Sequence, residues 1–161
     1  MAMEFAINRP SGLMTPTTTG AATLGRFSVP KRTSGVSMQK WVTLLAGGLI
    51  GTAGRYLLAG AVYRWLGTNF PYGTLAVNTL GCLAIGFLGA LADQKFLLRP
   101  ETRLFWMVGL IGAFTTFSTL IYESWRLMQD GEFLLASLNM LGSLMLGLVA
   151  LWLGHLVASL L

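Results

Sequence analysis

Gly109-Leu-Ile-Gly-Ala-Phe-Thr-Thr-Phe-Ser-Thr-Leu120 decides how the rest of the chain is read. It lies inside an apolar segment, from Leu104 to roughly Met128, that is long enough to cross a bilayer. Yet its centre carries Gly112, Thr115, Thr116, Ser118 and Thr119. Glycine and β-branched threonine are weak helix formers, and a hydroxyl in lipid needs a partner. The centre of this helix is therefore bent or broken. Irregular backbone at membrane depth is tolerated only where it is buried in protein or lines a watery cavity. In transporters and channels such interruptions hold ions. The same small residues would also serve a helix packed tightly on its neighbour.

Outward from that stretch, the composition supports a bilayer setting. The chain is 54% hydrophobic and 11% charged, with a mean hydropathy of +0.66. A soluble domain carries about a quarter charged residues. The net charge is +5, but Arg9, Arg26, Lys31 and Arg32 all precede Met38. No nucleic-acid surface is implied. The single cysteine, Cys82, sits in an apolar run, which excludes an intrachain disulfide. His155 has no second ligand type nearby and reads as an interfacial side chain. No nucleophile–base or metal constellation is visible, so the sequence does not read as an enzyme.

Three further apolar stretches complete an all-α membrane protein. The spacing predicts helices over about 40–65, 72–93, 103–129 and 133–160, within a membrane domain of residues 39–161. Residues 1–38 are rich in Thr, Ser, Gly and Pro and form an extension outside the fold. The extension lacks the apolar core of a secretory signal, and reads as a transit-like segment or as a start misassigned upstream of Met38. In the first helix, Gly47, Gly51 and Arg55 share one face. Arg55 is either a snorkelling arginine or a cation that attracts anions or anchors the start of the second helix. In the second helix, Asn78 must be hydrogen-bonded. It either glues helices together or offers its amide to a passing anion. Lys95 to Arg103 reads as a polar loop. Glu123, near the end of the third helix, reads as a solvated carboxylate or a neighbour of Arg126. In the fourth helix, Asn139, Ser143 and Gly147 form a stripe, which is a track or a packing seam.

These stretches together resemble the CrcB/Fluc family of fluoride channels over about residues 40–160. Gly47-Gly-Leu-Ile-Gly-Thr-Ala-Gly-Arg-Tyr56 is similar to the family's Gly-Ala-x-x-Arg-Tyr region. Pro71-Tyr-Gly-Thr-Leu-Ala-Val-Asn-Thr-Leu-Gly81 is similar to its Gly-Thr-Leu-x-x-Asn-x-x-Gly motif. Gly109-x-x-Gly-x-x-Thr-Thr-Phe-Ser-Thr is similar to its third-helix signature. The resemblance implies an antiparallel dual-topology homodimer in a cell inner membrane or plasma membrane, exporting fluoride passively. It implies that Asn78 and Phe117 line the anion path, with Ser118 and Thr119 supplying nearby hydroxyls and Ser143 matching a polar track on the fourth helix; Arg55, in its anion-attracting reading, joins the candidate path. It also implies a structural Na+ at the helix break, held by the backbone carbonyls of Gly112 and Thr115. The sequence departs from the commonest family pattern at Leu120, where many members carry a second Phe, and at Asn139, where many carry Tyr.

The chemistry agrees with that implication. Fluoride is small and strongly hydrated, so a pore must replace its water with donors. Amide NH2 groups, hydroxyls and aromatic ring edges are such donors. Two other readings compete. A small proton-coupled exporter of cations needs a carboxylate deep in the membrane. A non-conducting structural subunit leaves the Thr-Thr-Phe-Ser-Thr cluster unused. Loop charges give only a modest orientation bias: Lys40, Lys95, Arg99 and Arg103 on one side, Arg64 and Arg126 on the other.

Overall fold

The computed structural model describes residues 37–93 and 99–161. The expectation for the 1–38 extension therefore falls outside the described residues, except that Met38 already opens the first helix. Helix α1 spans Met38–Leu66 and α2 spans Tyr72–Asp93. The third span, Pro100–Gln129, is composite. It opens with α3, Pro100–Arg103, continues as a π-helical segment, Leu104–Ile111, and reaches α4, Gly112–Phe114. After Thr115 and Thr116 it resumes as α5, Phe117–Gln129. The fourth span is α6, Phe133–Ser159. All four spans are long and apolar enough to cross a membrane, and no strand occurs among the described residues.

One expected boundary is corrected. Residues up to Arg103 read as loop, but the helix begins at Pro100. Proline suits the first helical position, because its missing N–H would have no helical partner there. Arg103 then reaches back to the end of α2, pairing with Asp93 at 3.4 Å and donating to the Ala92 carbonyl.

Glycines set how the spans approach one another. A Cβ on Gly51 would come within 2.1 Å of the Leu110 carbonyl oxygen. A Cβ on Gly86 would meet the Leu151 carbonyl at 2.1 Å, and one on Gly154 the Leu83 carbonyl at 2.1 Å. Backbone therefore lies directly on backbone, as expected where small residues mediate helix association in lipid. The contacts also fix direction. Gly47 faces Gly109, and Gly51 faces Leu110 and Phe114, so α1 and the third span run the same way. Cys82 faces Gly147 and Gly86 faces Leu151, so α2 and α6 do likewise. The short turns use Gly67 and Gly131, at φ 81° and 82°, values that glycine adopts without strain.

The stripe on α6 is a buried seam along most of the helix. Ala136, Asn139, Ser143, Gly147, Ala150, Gly154 and Ala158 are its buried residues. Many large apolar side chains face outward instead, among them Leu49, Tyr56, Leu57, Trp65, Leu134 and Trp152. On a membrane protein such an exterior faces lipid or a partner chain.

Candidate functional site: the interrupted third span and its two cavities

At Thr115 and Thr116 the backbone leaves the helix. Thr115 has φ −83° and ψ 161°, and Thr116 has φ −153° and ψ 115°, both extended. Asn78, on α2, meets this point from the side. Its Oδ1 accepts the Thr116 N–H at 2.8 Å, and its Nδ2 donates to the Thr116 carbonyl at 3.0 Å. One side-chain amide thus does for Thr116 what two helical neighbours would otherwise do. Thr116 in turn caps α5. Its Oγ1 accepts the Thr119 N–H at 3.3 Å and donates to Thr119 Oγ1 at 2.9 Å.

These bonds redirect donors. In a continuous helix the Thr116 N–H would serve the Gly112 carbonyl, and the Thr119 N–H the Thr115 carbonyl. Both donate to side chains instead. The two carbonyls that the sequence reading singles out have therefore lost their helical donors. Gly81 of α2 closes on the same point: a Cβ there would strike Thr115 Cγ2 at 2.0 Å.

A cavity of about 690 Å³ opens on one side of the interruption. Asn78, Gly112, Thr115, Thr116, Phe117 and Ser143 line it, together with Leu120, Cys82 and further apolar side chains. Phe117 is 75% exposed, while Leu120 is only 8% exposed, so the two residues share the cavity in unequal roles. Ser143 is 93% buried in relative terms, its exposure being 7%, and its Oγ has no hydrogen-bond partner among the described residues.

A second cavity, of about 410 Å³, lies along the faces of α1, α2 and α5. It is lined by Arg55, Tyr63, Thr74, Thr119 and Glu123, among others. Glu123 corrects the sequence reading. It is not a solvated neighbour of Arg126; its Oε1 accepts from the hydroxyls of Thr74 at 2.8 Å and Tyr63 at 3.2 Å. Its Oε2 is buried without a partner among the described residues. The helix restarts at Phe117, so Glu123 stands about 10 Å along it, well short of its end at Gln129. The pattern Thr116, Thr119, Glu123 places these residues on one helical face, a signal present in the sequence once the restart is known.

The proposed path residues therefore divide. Asn78, Phe117 and Ser143 meet in the larger cavity with Gly112 and Thr115, whereas Arg55 and Thr119 face the smaller one. Ser118 lies between neither set; its Oγ stands 3.4 Å from Thr116 Oγ1 on an exposed surface. The sequence reading also missed Thr74 and Tyr63 altogether. Ser124 was missed too. It is 1% exposed, donates to the Leu120 carbonyl at 2.8 Å and accepts from Asn139 at 2.9 Å. No cluster of three or more His, Cys, Asp or Glu suited to a metal occurs among the described residues.

Four apolar spans, an interrupted third span and polar groups gathered at the interruption define a multi-pass protein of the cell membrane. Residues 42–155 match the family model described as CrcB-like protein, Camphor Resistance (CrcB), and the chain belongs to that family. Three relatives are each named fluoride-specific ion channel FluC. The one from Geobacter sulfurreducens is 49% identical over 69% of this chain and 90% of its own length. That from Chlorobaculum tepidum is 52% identical over 71% of this chain and 90% of its own. That from Magnetococcus marinus is 48% identical over 74% of this chain and 96% of its own.

Proposed function

We propose that this chain is the subunit of a fluoride-selective channel that lowers internal fluoride by passive export. The observation that carries the reading is the junction of Asn78 with the interrupted third span, on the wall of the cavity shared by Phe117 and Ser143. An amide NH2 has two protons. The Asn78 amide gives one to Thr116, which leaves a second for an anion in the cavity. Phe117 offers a ring edge, where the quadrupole is positive. Ser143 offers a hydroxyl. Together these replace water around a dehydrated anion without placing a full positive charge on the path, so the ion is held weakly enough to leave. The family and the names of its relatives favour this channel over the exporter and the structural subunit. The reading involves no enzymatic step.

The working unit in this reading is an antiparallel dual-topology homodimer. The larger cavity is open on one side, and four spans enclose too little space for a pore of their own. A second copy would cover the exposed Phe117. Cysteine labelling of a loop in intact cells should find both orientations, and a single orientation would remove the antiparallel arrangement.

The interruption in this reading also holds a structural Na+. The carbonyls of Gly112 and Thr115 fit a hard cation, since their helical donors are engaged elsewhere and oxygen is the ligand such ions prefer. When bound, the ion would neutralise the carbonyl dipoles and keep the two helix halves in register. Full flux and an unchanged third span in a Na+-free preparation would remove the site.

The decisive test of the channel is fluoride efflux from loaded liposomes, followed with a fluoride electrode. Efflux with chloride excluded is expected. Liposomes that hold their fluoride, at a protein density where a relative empties them, would defeat the reading.

A further inference from the structure

We propose that Asn139 and Ser143 hold a water molecule between them, and that this water frees the Ser143 hydroxyl to donate into the fluoride path. The proposal rests on the channel reading above and names one station of its path.

The argument begins with the orientation of one amide. Asn139 is fully buried, at 0% exposure, in an otherwise apolar seam. Ser124 Oγ gives its proton to the Leu120 carbonyl at 2.8 Å. Ser124 can therefore only accept from Asn139, which makes the atom at 2.9 Å the donating Nδ2. The amide oxygen must then point the other way. It is buried and has no partner among the described residues. Leaving such an acceptor unpaired costs roughly 1–3 kcal/mol, so native interiors rarely do it.

Ser143 stands one turn further along the same face of α6. Ser124 and Ser137 spend their protons on the carbonyl four residues back. Ser143 makes no such bond, and its buried Oγ has no partner among the described residues. Side chains four residues apart on a helix have Cβ atoms about 5–6 Å apart. The two oxygens make no direct bond to each other, and a pair at that spacing can be joined by one bridging water. A buried water needs two to four polar partners, and Asn139 Oδ1 and Ser143 Oγ supply two.

The proton count gives the consequence. The water has two protons. One goes to Asn139 Oδ1, which cannot donate. The other goes to a lone pair of Ser143 Oγ. The proton of Ser143 itself is then left over, on a residue that lines the larger cavity. Without the water, that proton would turn back toward the Asn139 amide oxygen or a helical carbonyl. Asn139 thus acts through Ser143 as a positioning residue, and does not touch the ion. The same cavity wall carries Leu120, which has no ring edge to offer. The hydrated pair supplies a second donor after Phe117.

The test uses the full chain in liposomes with Asn139→Leu, Ser143→Ala and the double variant, with efflux expressed per reconstituted dimer. Leucine shares asparagine's branching at Cγ, though it is larger, and strands no partner, because Ser124 keeps its bond to the Leu120 carbonyl. Each single variant should slow efflux about tenfold, the effect of losing one hydrogen bond to an ion. The double variant should be no slower than Ser143→Ala alone, since both remove the same donor. Losses that multiply to about a hundredfold, as separate packing defects would give, overturn the proposal; so does Asn139→Leu with unchanged efflux. An experimental structure at a resolution that shows waters gives an independent readout. A water between Asn139 Oδ1 and Ser143 Oγ in the unaltered protein, lost in Asn139→Leu, supports the proposal, and its absence from the unaltered protein overturns it. An unaltered protein that carries no fluoride overturns the channel reading and the donor role with it, while the water density still reports on the bridge separately.

Discussion

The two cavities lie against different residues of α5 and are built of opposite materials. The larger one is mainly apolar, with isolated neutral donors from Asn78 and Ser143 and one exposed aromatic ring. The smaller one gathers a cation, a carboxylate and several hydroxyls from α1, α2 and α5. In the smaller cavity the Tyr63 and Thr74 hydroxyls are spent on Glu123 Oε1, while its Oε2 is left without a partner among the described residues. In the larger one, donor capacity remains unspent. An anion that must shed water gains more from unspent neutral donors than from a site containing a fixed negative charge. On the channel reading proposed above, the ion belongs on the Phe117 side, and the Glu123 side is a joint between helices.

The sharpest test of that assignment is Asn78→Asp. A carboxylate would still accept the Thr116 N–H but would face the Thr116 carbonyl with a charge and no donor. Fluoride efflux should fall to the liposome background, with the elution position on size exclusion unchanged. Efflux at the unaltered rate would return Asn78 to a packing role.

Phe117→Leu comes next. It keeps the hydrophobic area and removes the ring edge, so efflux should drop at least about tenfold, as loss of one stabilising contact to an ion does. Leu120→Phe should leave efflux within about twofold, because it adds an edge on the same wall; the volume it adds to a buried site costs about 1–3 kcal/mol if the wall cannot yield. Normal conduction by Phe117→Leu would break the comparison in favour of a simple seam.

Glu123→Gln probes the other cavity. The amide oxygen can accept from both Tyr63 and Thr74, so the joint should survive, with efflux reduced no more than about threefold. A larger loss, matching that of Phe117→Leu, would move the smaller cavity onto the ion path.

Arg55→Gln should have the smallest effect. On the channel reading, Arg55 in the smaller cavity would act at a distance, through the potential it adds to its face of the protein. Efflux should fall about twofold at low ionic strength and recover at high salt, where such fields are screened within about 3 Å. A loss that ignores salt would indicate direct contact with the anion.

Much of the fold was legible because its signals are local. Apolar runs fix the four spans, Gly67 and Gly131 mark two turns, and Gly112 with two threonines weakens the third span where the helix stops. The start at Pro100 was misread because Arg99 to Arg103 is polar, and polarity alone does not separate a loop from a first helical turn. The motif around Asn78 singled out that residue and left its partner, Thr116, unknown.

What the chain alone determined, then, is the set of spans and the place where helix propensity fails, both properties of neighbouring residues. The tertiary structure decided which polar groups meet. Asn78 finds Thr116 across 38 residues, Thr74 finds Glu123 across 49, and Tyr63 finds Glu123 across 60. Hydropathy and periodicity carry no record of such pairs. They arise where glycines let the spans approach closely, Gly51 against Leu110, Gly73 against Tyr63 and Gly81 against Thr115. At that distance, in an apolar interior, each buried polar group must take whichever partner the packing brings within reach.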